Sequence, residues 1–166
     1  MGNKELTRLY NDHAQPLYSF LCYRTGDRML AEDLLADTFE RVIKARRSFD
    51  PRRASERTWL YAIALNCARD NARRSATEVR ALARVGANGN GTPEFDSRLS
   101  DLERKEALHH ALTTLSIYER EAVALRFGAD LTLADMAGVL GEPQSKVETR
   151  LYRGLKKLRD CLGPDF

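Results

Sequence analysis

The sequence has 166 residues, of which 43% are hydrophobic and 31% charged, and its formal net charge is only +3. The length and hydrophobic content predict one domain or two small ones with a packed core. The small net charge excludes a surface that is positively charged throughout, but it permits local basic and acidic faces. The three cysteines are widely spaced and form no CxxC pair, which argues against a disulfide framework and a zinc site. The sequence shows no apolar run of membrane-spanning length and no leader-like segment, which argues against membrane insertion. Together these features predict a cytoplasmic protein.

The first part of the chain predicts amphipathic helices. Apolar residues recur at helical spacing from Lys4 to about Tyr23, where Pro16 either begins a second piece or kinks the first. Asp27 is placed to cap a long helix from Met29 to Arg47, whose acidic face carries Glu32, Asp33, Asp37 and Glu40. The loop FDPRRASE at residues 49–56 then precedes a helix from Arg57 to about Ser75, for which Ser55 offers a cap.

Composition changes at residues 76–97, which include GANGNGTPEFD and lack apolar periodicity. A flexible linker is favoured over a phosphate-binding glycine loop, because no strand precedes the glycines and no Gly-Lys-Ser/Thr ending follows them. Beyond it, helices are predicted over residues 98–114 and from a capping box at Ser116 and Glu119 to Phe127. The predicted class is therefore all-α, with two small helical bundles at residues 1–75 and 98–166 joined by the linker.

The stretch from Leu131 to Arg159 has the pattern of a helix-turn-helix. Thr132 and Asp135 form a capping-box pattern, and Gly141 supplies a stop where positive φ costs little. The second helix buries a stripe at Val147, Leu151, Leu155 and Leu158 and presents a basic face at Lys146, Arg150, Arg153, Lys156 and Lys157. This pattern favours a helix that lies in a DNA major groove over the alternative of a helical hairpin with a solvated basic face.

A second basic cluster surrounds the loop at residues 49–56 and is followed by Trp59 and Tyr61. Basic residues interleaved with aromatic ones suit single-stranded nucleic acid, whose phosphates they neutralise and whose bases they stack on. The alternatives are that Trp59 is an ordinary core residue and that the basic cluster is a solvated face. No catalytic, metal or cofactor site is predicted, because His109 and His110 point apart on a helix and the acidic helix lacks Glu-x-x-His partners.

Three segments in this order resemble the extracytoplasmic-function group of bacterial sigma factors, within the sigma-70 family. AEDLLADTFERVIKA at 31–45 is similar to the helix that docks on RNA polymerase, and RTWLYAIALNCARDNARR at 57–74 resembles the promoter-melting helix that reads the minus-ten element. ALTTLSIYEREAVALRF at 111–127, with the helix-turn-helix, resembles the fourth conserved domain, which reads the minus-thirty-five element. The resemblance implies a transcription initiation factor without catalysis, whose partners are core RNA polymerase, double-stranded and melted promoter DNA, and an anti-sigma factor.

The resemblance also implies roles for individual residues. The residues implied to bind polymerase are Asp33, Leu34, Asp37 and Phe39. Those implied to contact the minus-ten element, where the loop at 49–56 would hold a flipped base, are Phe49, Arg52, Arg53, Trp59, Asn66, Arg69 and Arg73. Those implied to contact the minus-thirty-five element are Gln144, Ser145, Lys146, Thr149, Arg150 and Arg153. The chain departs from the family pattern at Ala36-Asp37 on the polymerase-binding helix and at Ser116, which replaces a usual proline and caps equally well. It also departs at Glu142 and Glu148 in the base-reading segment, so the promoter sequence is not carried over from the family.

Two other functions remain as alternatives at this point. An autonomous helix-turn-helix repressor would need a dimer interface to match a two-fold operator, and the sequence shows none. An enzyme with the helix-turn-helix as a regulatory appendage would have only the acidic helix for a metal site.

Overall fold

The computed structural model describes residues 2–82 and 99–163, and both ranges are helical with no strand in either. The elements are α1 (Asn3–Thr25), α2 (Arg28–Ala45), α3 (Glu56–Leu82), α4 (Leu99–Thr113), α5 (Ile117–Val123), a π-helical turn (Ala124–Gly128), α6 (Leu133–Leu140) and α7 (Gln144–Leu162). The all-α class is confirmed. We call α1–α3 the N-terminal unit and α4–α7 the C-terminal unit. Most of the predicted linker, residues 83–97, lies outside the described residues.

Local signals set the boundaries of the first two helices. Helix α1 continues through Pro16, so the predicted second helical piece is wrong. Pro16 has no backbone N–H to donate to the preceding turn, but Leu9 before it and Leu17 after it are fully buried, so both parts of the helix pack in the core. Gly26 ends α1 at φ 71°, a left-handed conformation that a glycine adopts readily. The Asp27 side chain then caps α2 by accepting a hydrogen bond from the Leu30 amide at 3.1 Å, as predicted.

Helix α3 is longer than predicted, because it continues past Ser75 to Leu82. Side chains from Arg73 to Ala81 are exposed on every side, so no apolar stripe marks this stretch. Alanine, glutamate, arginine and leucine are nevertheless strong helix formers, and they carry the helix beyond the packed bundle. The start of the predicted linker is therefore corrected: residues 76–82 are helical.

Capping boxes begin two helices of the C-terminal unit. Ser116 Oγ accepts from the Glu119 amide at 3.2 Å, and Glu119 Oε2 accepts from the Ser116 amide at 2.8 Å. Thr132 and Asp135 exchange the equivalent bonds at the start of α6, and Gly141 ends α6 at φ 65°. These predictions are confirmed. The π-helical turn after α5 was not predicted.

The two units pack against each other in one continuous core. Helix α1 lies against α5 and the π-helical turn, and α3 lies against α6. Gly128 permits this approach, since a Cβ there would lie 2.8 Å from the Cα of Phe20. Arg57 on α3 donates to the carbonyl oxygens of Ala129 at 2.5 Å and Asp130 at 3.1 Å. The sequence predicted two bundles joined by a linker and did not indicate this interface.

Candidate polymerase and nucleic-acid interfaces

The exposed face of α2 carries the acidic residues predicted to bind polymerase. Asp33 and Asp37 are exposed, one helical turn apart, and the preceding turn presents Met29, which is 79% exposed. Phe39 is half-buried against Tyr10, with ring centroids 4.8 Å apart. Leu34 is only 1% exposed, so its prediction as a contact residue is corrected: it anchors α2 in the core. Sequence analysis missed Met29, although its spacing of four residues from Asp33 places it on the same face.

The loop between α2 and α3 brings together the aromatic residues predicted to hold an unpaired base. The Phe49 and Trp59 rings lie 5.0 Å apart at 45°, and both side chains are half-buried. Asp50 orders the loop by accepting hydrogen bonds from the Arg52 amide at 3.0 Å and from its guanidinium at 3.1 and 3.2 Å. These bonds hold the pKa of Asp50 below its ordinary value. Arg53 is exposed.

The outer face of α3 presents the remaining residues of the predicted minus-ten surface. Asn66 and Arg73 are exposed, whereas Arg69 is half-buried. Asp70 lies between them and pairs with Arg41 at 2.8 Å and with Arg73. Arg41 first, and then Arg73, lowers the pKa of the Asp70 carboxyl.

A buried ion cluster joins Arg69 to the C-terminal unit. Its Nε and Nη2 donate to Glu121 on α5 at 3.1 and 2.7 Å, and Arg24 at the end of α1 donates to Glu121 Oε1 at 3.2 and 3.0 Å. The side chains of Glu121 and Arg24 are 1% and 7% exposed. Arg69 is therefore paired with Glu121 in this arrangement, although its side chain is 36% exposed, and its contact with DNA stays a prediction that requires this pair to separate. Sequence analysis missed Arg24 and Glu121; the only signal was an acidic residue beside the apolar positions 122–125.

The first turns of α7 expose most of the residues predicted to read the minus-thirty-five element, namely Gln144, Ser145, Lys146, Thr149 and Arg153. Arg150 differs: its side chain is 13% exposed, it forms an ion pair with Glu142 at 2.6 Å, and its guanidinium lies 5.3 Å above the Tyr118 ring. Its prediction as a DNA contact is corrected, because these partners hold it against the C-terminal unit. Glu148 and Tyr152 are exposed at helical spacing from Ser145 and extend the same surface.

Within residues 2–82 and 99–163, no group of three His, Cys, Asp or Glu side chains is arranged to hold a metal ion. None of the helices in those ranges combines the length and the apolar character that crossing a bilayer requires.

Comparison with known proteins matches each unit to a separate family. The family described as sigma-70 region 2 matches residues 9–78, which cover α1 to most of α3, and sigma-70 region 4 matches residues 105–158. The ECF RNA polymerase sigma factor SigX of Bacillus subtilis is 33% identical over 163 residues, covering 91% of this chain and 80% of SigX. The ECF RNA polymerase sigma factor BldN of Streptomyces coelicolor is 31% identical over 160 residues, covering 95% of this chain but only 60% of BldN.

Solved structures share this fold, among them the following two. The sigma factor RpoE of Bartonella quintana, in complex with the anti-sigma factor NepR, has a TM-score of 0.73 at 24% identity, with 98% of this chain and 97% of that chain covered. CnrH, in complex with the cytosolic domain of CnrY, has a TM-score of 0.71 at 24% identity, with 97% and 89% covered. The similarity extends over both units in the order found here.

Proposed function

The chain belongs to the extracytoplasmic-function group of RNA polymerase sigma factors, and on this premise we propose how its surfaces divide the work of promoter recognition. Factors of this family bind core RNA polymerase and direct it to specific promoters. The single observation that carries the proposal is the order of the two matched units, the first with an acidic and an aromatic surface and the second with an exposed recognition helix. The protein would act in the cytoplasm, where polymerase and DNA meet, and would perform no catalysis itself.

The α2 face formed by Met29, Asp33 and Asp37 is proposed to dock on the polymerase. Exposed carboxylates give orientation and a fast encounter with a basic surface, and an exposed methionine beside them supplies apolar contact area. Phe39 and Leu34 would support this face from below without providing its main contacts.

The Phe49–Trp59 pair and Asn66 are proposed to receive unpaired bases of the minus-ten element. Aromatic rings offer a stacking surface to any flipped base, and an exposed amide can pair with a base edge. Arg53 and Arg73 would hold the backbone nearby. Arg52, already held by Asp50, would keep its remaining donors for a phosphate.

The recognition helix α7 is proposed to enter the major groove at the minus-thirty-five element through its first turns. Gln144, Ser145 and Thr149 can address base edges, and Lys146 and Arg153 can address phosphates or guanine. Arg150 would act as a positioning residue that fixes α7 to Tyr118 and Glu142.

An anti-sigma factor is proposed as a third partner, because RpoE and CnrH, which are similar in fold, are both described in complexes, RpoE with an anti-sigma factor and CnrH with CnrY. No cofactor or metal is proposed. An autonomous dimeric repressor has no support from the comparisons, and size-exclusion chromatography would reveal its stable dimer.

The test is transcription in vitro with core polymerase and a fragmented genomic template. Wild-type protein should yield discrete promoter-dependent transcripts that core polymerase alone does not make. Asp37→Arg should lose core binding and transcription with an unchanged melting temperature, whereas Glu78→Arg, the same charge change at an exposed position of α3, should retain both. The absence of transcripts from wild type with competent core would reject the function, and normal core binding by Asp37→Arg would reject the assigned face.

A further inference from the structure

Building on the proposed function, we propose that Arg24 and Arg69 form a binding site for a backbone phosphate of the melted promoter strand, and that Glu121 occupies this site in the unbound protein. Nothing in the sequence pattern assigns Arg24 to nucleic acid. The two arginines belong to the N-terminal unit and the carboxylate to the C-terminal unit, so the same contact joins the units and masks the site.

The geometry of the cluster is that of an anion site. Four N–H groups, the Nε and Nη2 of both arginines, converge on the two oxygens of one carboxylate at 2.7 to 3.2 Å. A phosphodiester likewise offers two charged, non-bridging oxygens, and the planar guanidinium fork matches either group. When Glu121 leaves with the C-terminal unit, two adjacent guanidinium groups stay on the surface that also carries Asn66 and Arg73.

The charges around the cluster favour its replacement by a nucleic-acid strand. Two guanidinium groups face one carboxylate, so the contact retains an excess positive charge, with Arg24 and Glu121 buried and the Arg69 side chain 36% exposed. Arg120 adds a third cation: its Nε donates to the Tyr23 carbonyl oxygen at 3.1 Å, and its buried Nη2 has no partner within the described chain. Burial first, and then Arg24, lowers the pKa of Arg120. Separation of the units returns Arg120 to water, while the strand compensates Arg24 and Arg69.

The interface also offers a way to separate the units without changing a charge. Gly128 faces the backbone of Phe20, and a Cβ there would lie 2.8 Å from the Phe20 Cα and 3.0 Å from its nitrogen. Backbone atoms within a helix cannot move aside as a flexible side chain can. Gly128→Ala should therefore push the π-helical turn away from α1 and expose the arginine pair with Glu121 intact.

The experiment measures the affinity of the full-length protein for a fluorescein-labelled, mixed-sequence single-stranded 20-mer by anisotropy, without polymerase. Glu121→Gln and Gly128→Ala should each bind about tenfold more tightly than wild type or better, because apparent affinity scales with the fraction of molecules whose site is accessible. Small-angle scattering should show an increased radius of gyration for Gly128→Ala.

Double variants test whether Arg24 holds a phosphate. Gly128→Ala combined with Arg24→Ala should lose most of the gain, and its slope of log affinity against log salt should fall by about 0.7, the value for one phosphate of a single strand. Gly128→Ala combined with Arg80→Ala, which removes an exposed arginine elsewhere on α3, should keep the gain.

Three outcomes would overturn the proposal. A folded Glu121→Gln variant that binds the single strand as wild type does would show that Glu121 does not mask the site. If that variant does not fold, the same conclusion would follow from a Gly128→Ala protein that has a larger radius of gyration but no higher affinity. Equal affinity of the Arg24→Ala double variant and Gly128→Ala would remove Arg24 from the site. Transcription by wild-type holoenzyme is scored separately: its absence rejects the sigma-factor function, whereas its presence with unchanged variant affinities rejects only the masked site.

Discussion

Arg150 and Arg153 lie one turn apart on α7, and the structure predicts opposite consequences for their removal. Arg150→Ala should lower stability, because Arg150 pairs with Glu142 at 2.6 Å and stacks over Tyr118. Arg153→Ala should lower DNA affinity without a change in stability, because this side chain is exposed. The sequence alone assigned both arginines to DNA.

The magnitude for Arg150 follows from its two contacts. A partly buried ion pair contributes about 1 kcal/mol, and a cation–π contact on a partly buried tyrosine contributes about 0.5–1 kcal/mol. Their sum of about 1.5–2 kcal/mol corresponds to a decrease of roughly 3–8 °C in melting temperature for a chain of this size. For an exposed residue such as Arg153, the change should stay within about 0.5 kcal/mol.

Differential scanning fluorimetry gives the melting temperatures, and anisotropy of a promoter duplex with holoenzyme across a salt series gives affinity. Arg153→Ala should reduce the salt slope by about 0.9 if it neutralises one phosphate, and Arg150→Ala should leave the slope unchanged. In a Glu142→Gln background, Arg150→Ala should cost about 1 kcal/mol less, which isolates the ion pair. An Arg150→Ala protein with wild-type melting temperature and a reduced salt slope would refute this reasoning.

Three further predictions concern the remaining surfaces. Asn66→Ala should leave closed-complex formation intact and slow strand opening, so permanganate reactivity of minus-ten thymines should fall; unchanged reactivity would remove Asn66 from the site. Because Arg41 and Arg73 lower the pKa of Asp70, their pairing stabilises the fold above the unfolded pKa of about 3.9 and is lost as pH falls through the lower folded value. Asp70→Asn should thus lower the urea midpoint at pH 7 and lower it progressively less as the pH falls below about 3.9; a loss that does not shrink over this range would contradict the pairing. Glu148→Gln should change the preferred base at one minus-thirty-five position, because an exposed carboxylate can accept from the cytosine amino group; a selection experiment that returns the wild-type element would exclude that contact.

Features decided by neighbours in sequence were predicted well. The caps at Asp27, Ser116 and Thr132 depend on residues within three positions of each other, so the pattern alone identifies them. Helical periodicity also separated acidic, basic and apolar faces. Periodicity does not show which neighbour covers the edge of a face. For that reason Leu34 and Arg150 were assigned to partner surfaces, although Leu34 lies in the core and Arg150 is held by Glu142.

Features that join distant parts of the chain were not predictable in this way. Glu121 meets Arg24 and Arg69 across separations of 97 and 52 residues, and no local spacing records that contact. The close approach at Gly128 likewise depends on the backbone of Phe20 in another helix. Both belong to the interface between the units.

The extension of α3 to Leu82 also limits the promoters that this protein can span. A helix rises about 1.5 Å per residue and does not stretch, whereas an extended chain gains at most about 3.3–3.6 Å per residue. Sixteen residues separate Leu82 from Leu99, so these two points can be at most about 60 Å apart. The helical residues 76–82 extend α3 by a fixed length of about 10 Å along its axis. Spacing between the two promoter elements is thereby bounded by covalent geometry, independently of how tightly either element is bound.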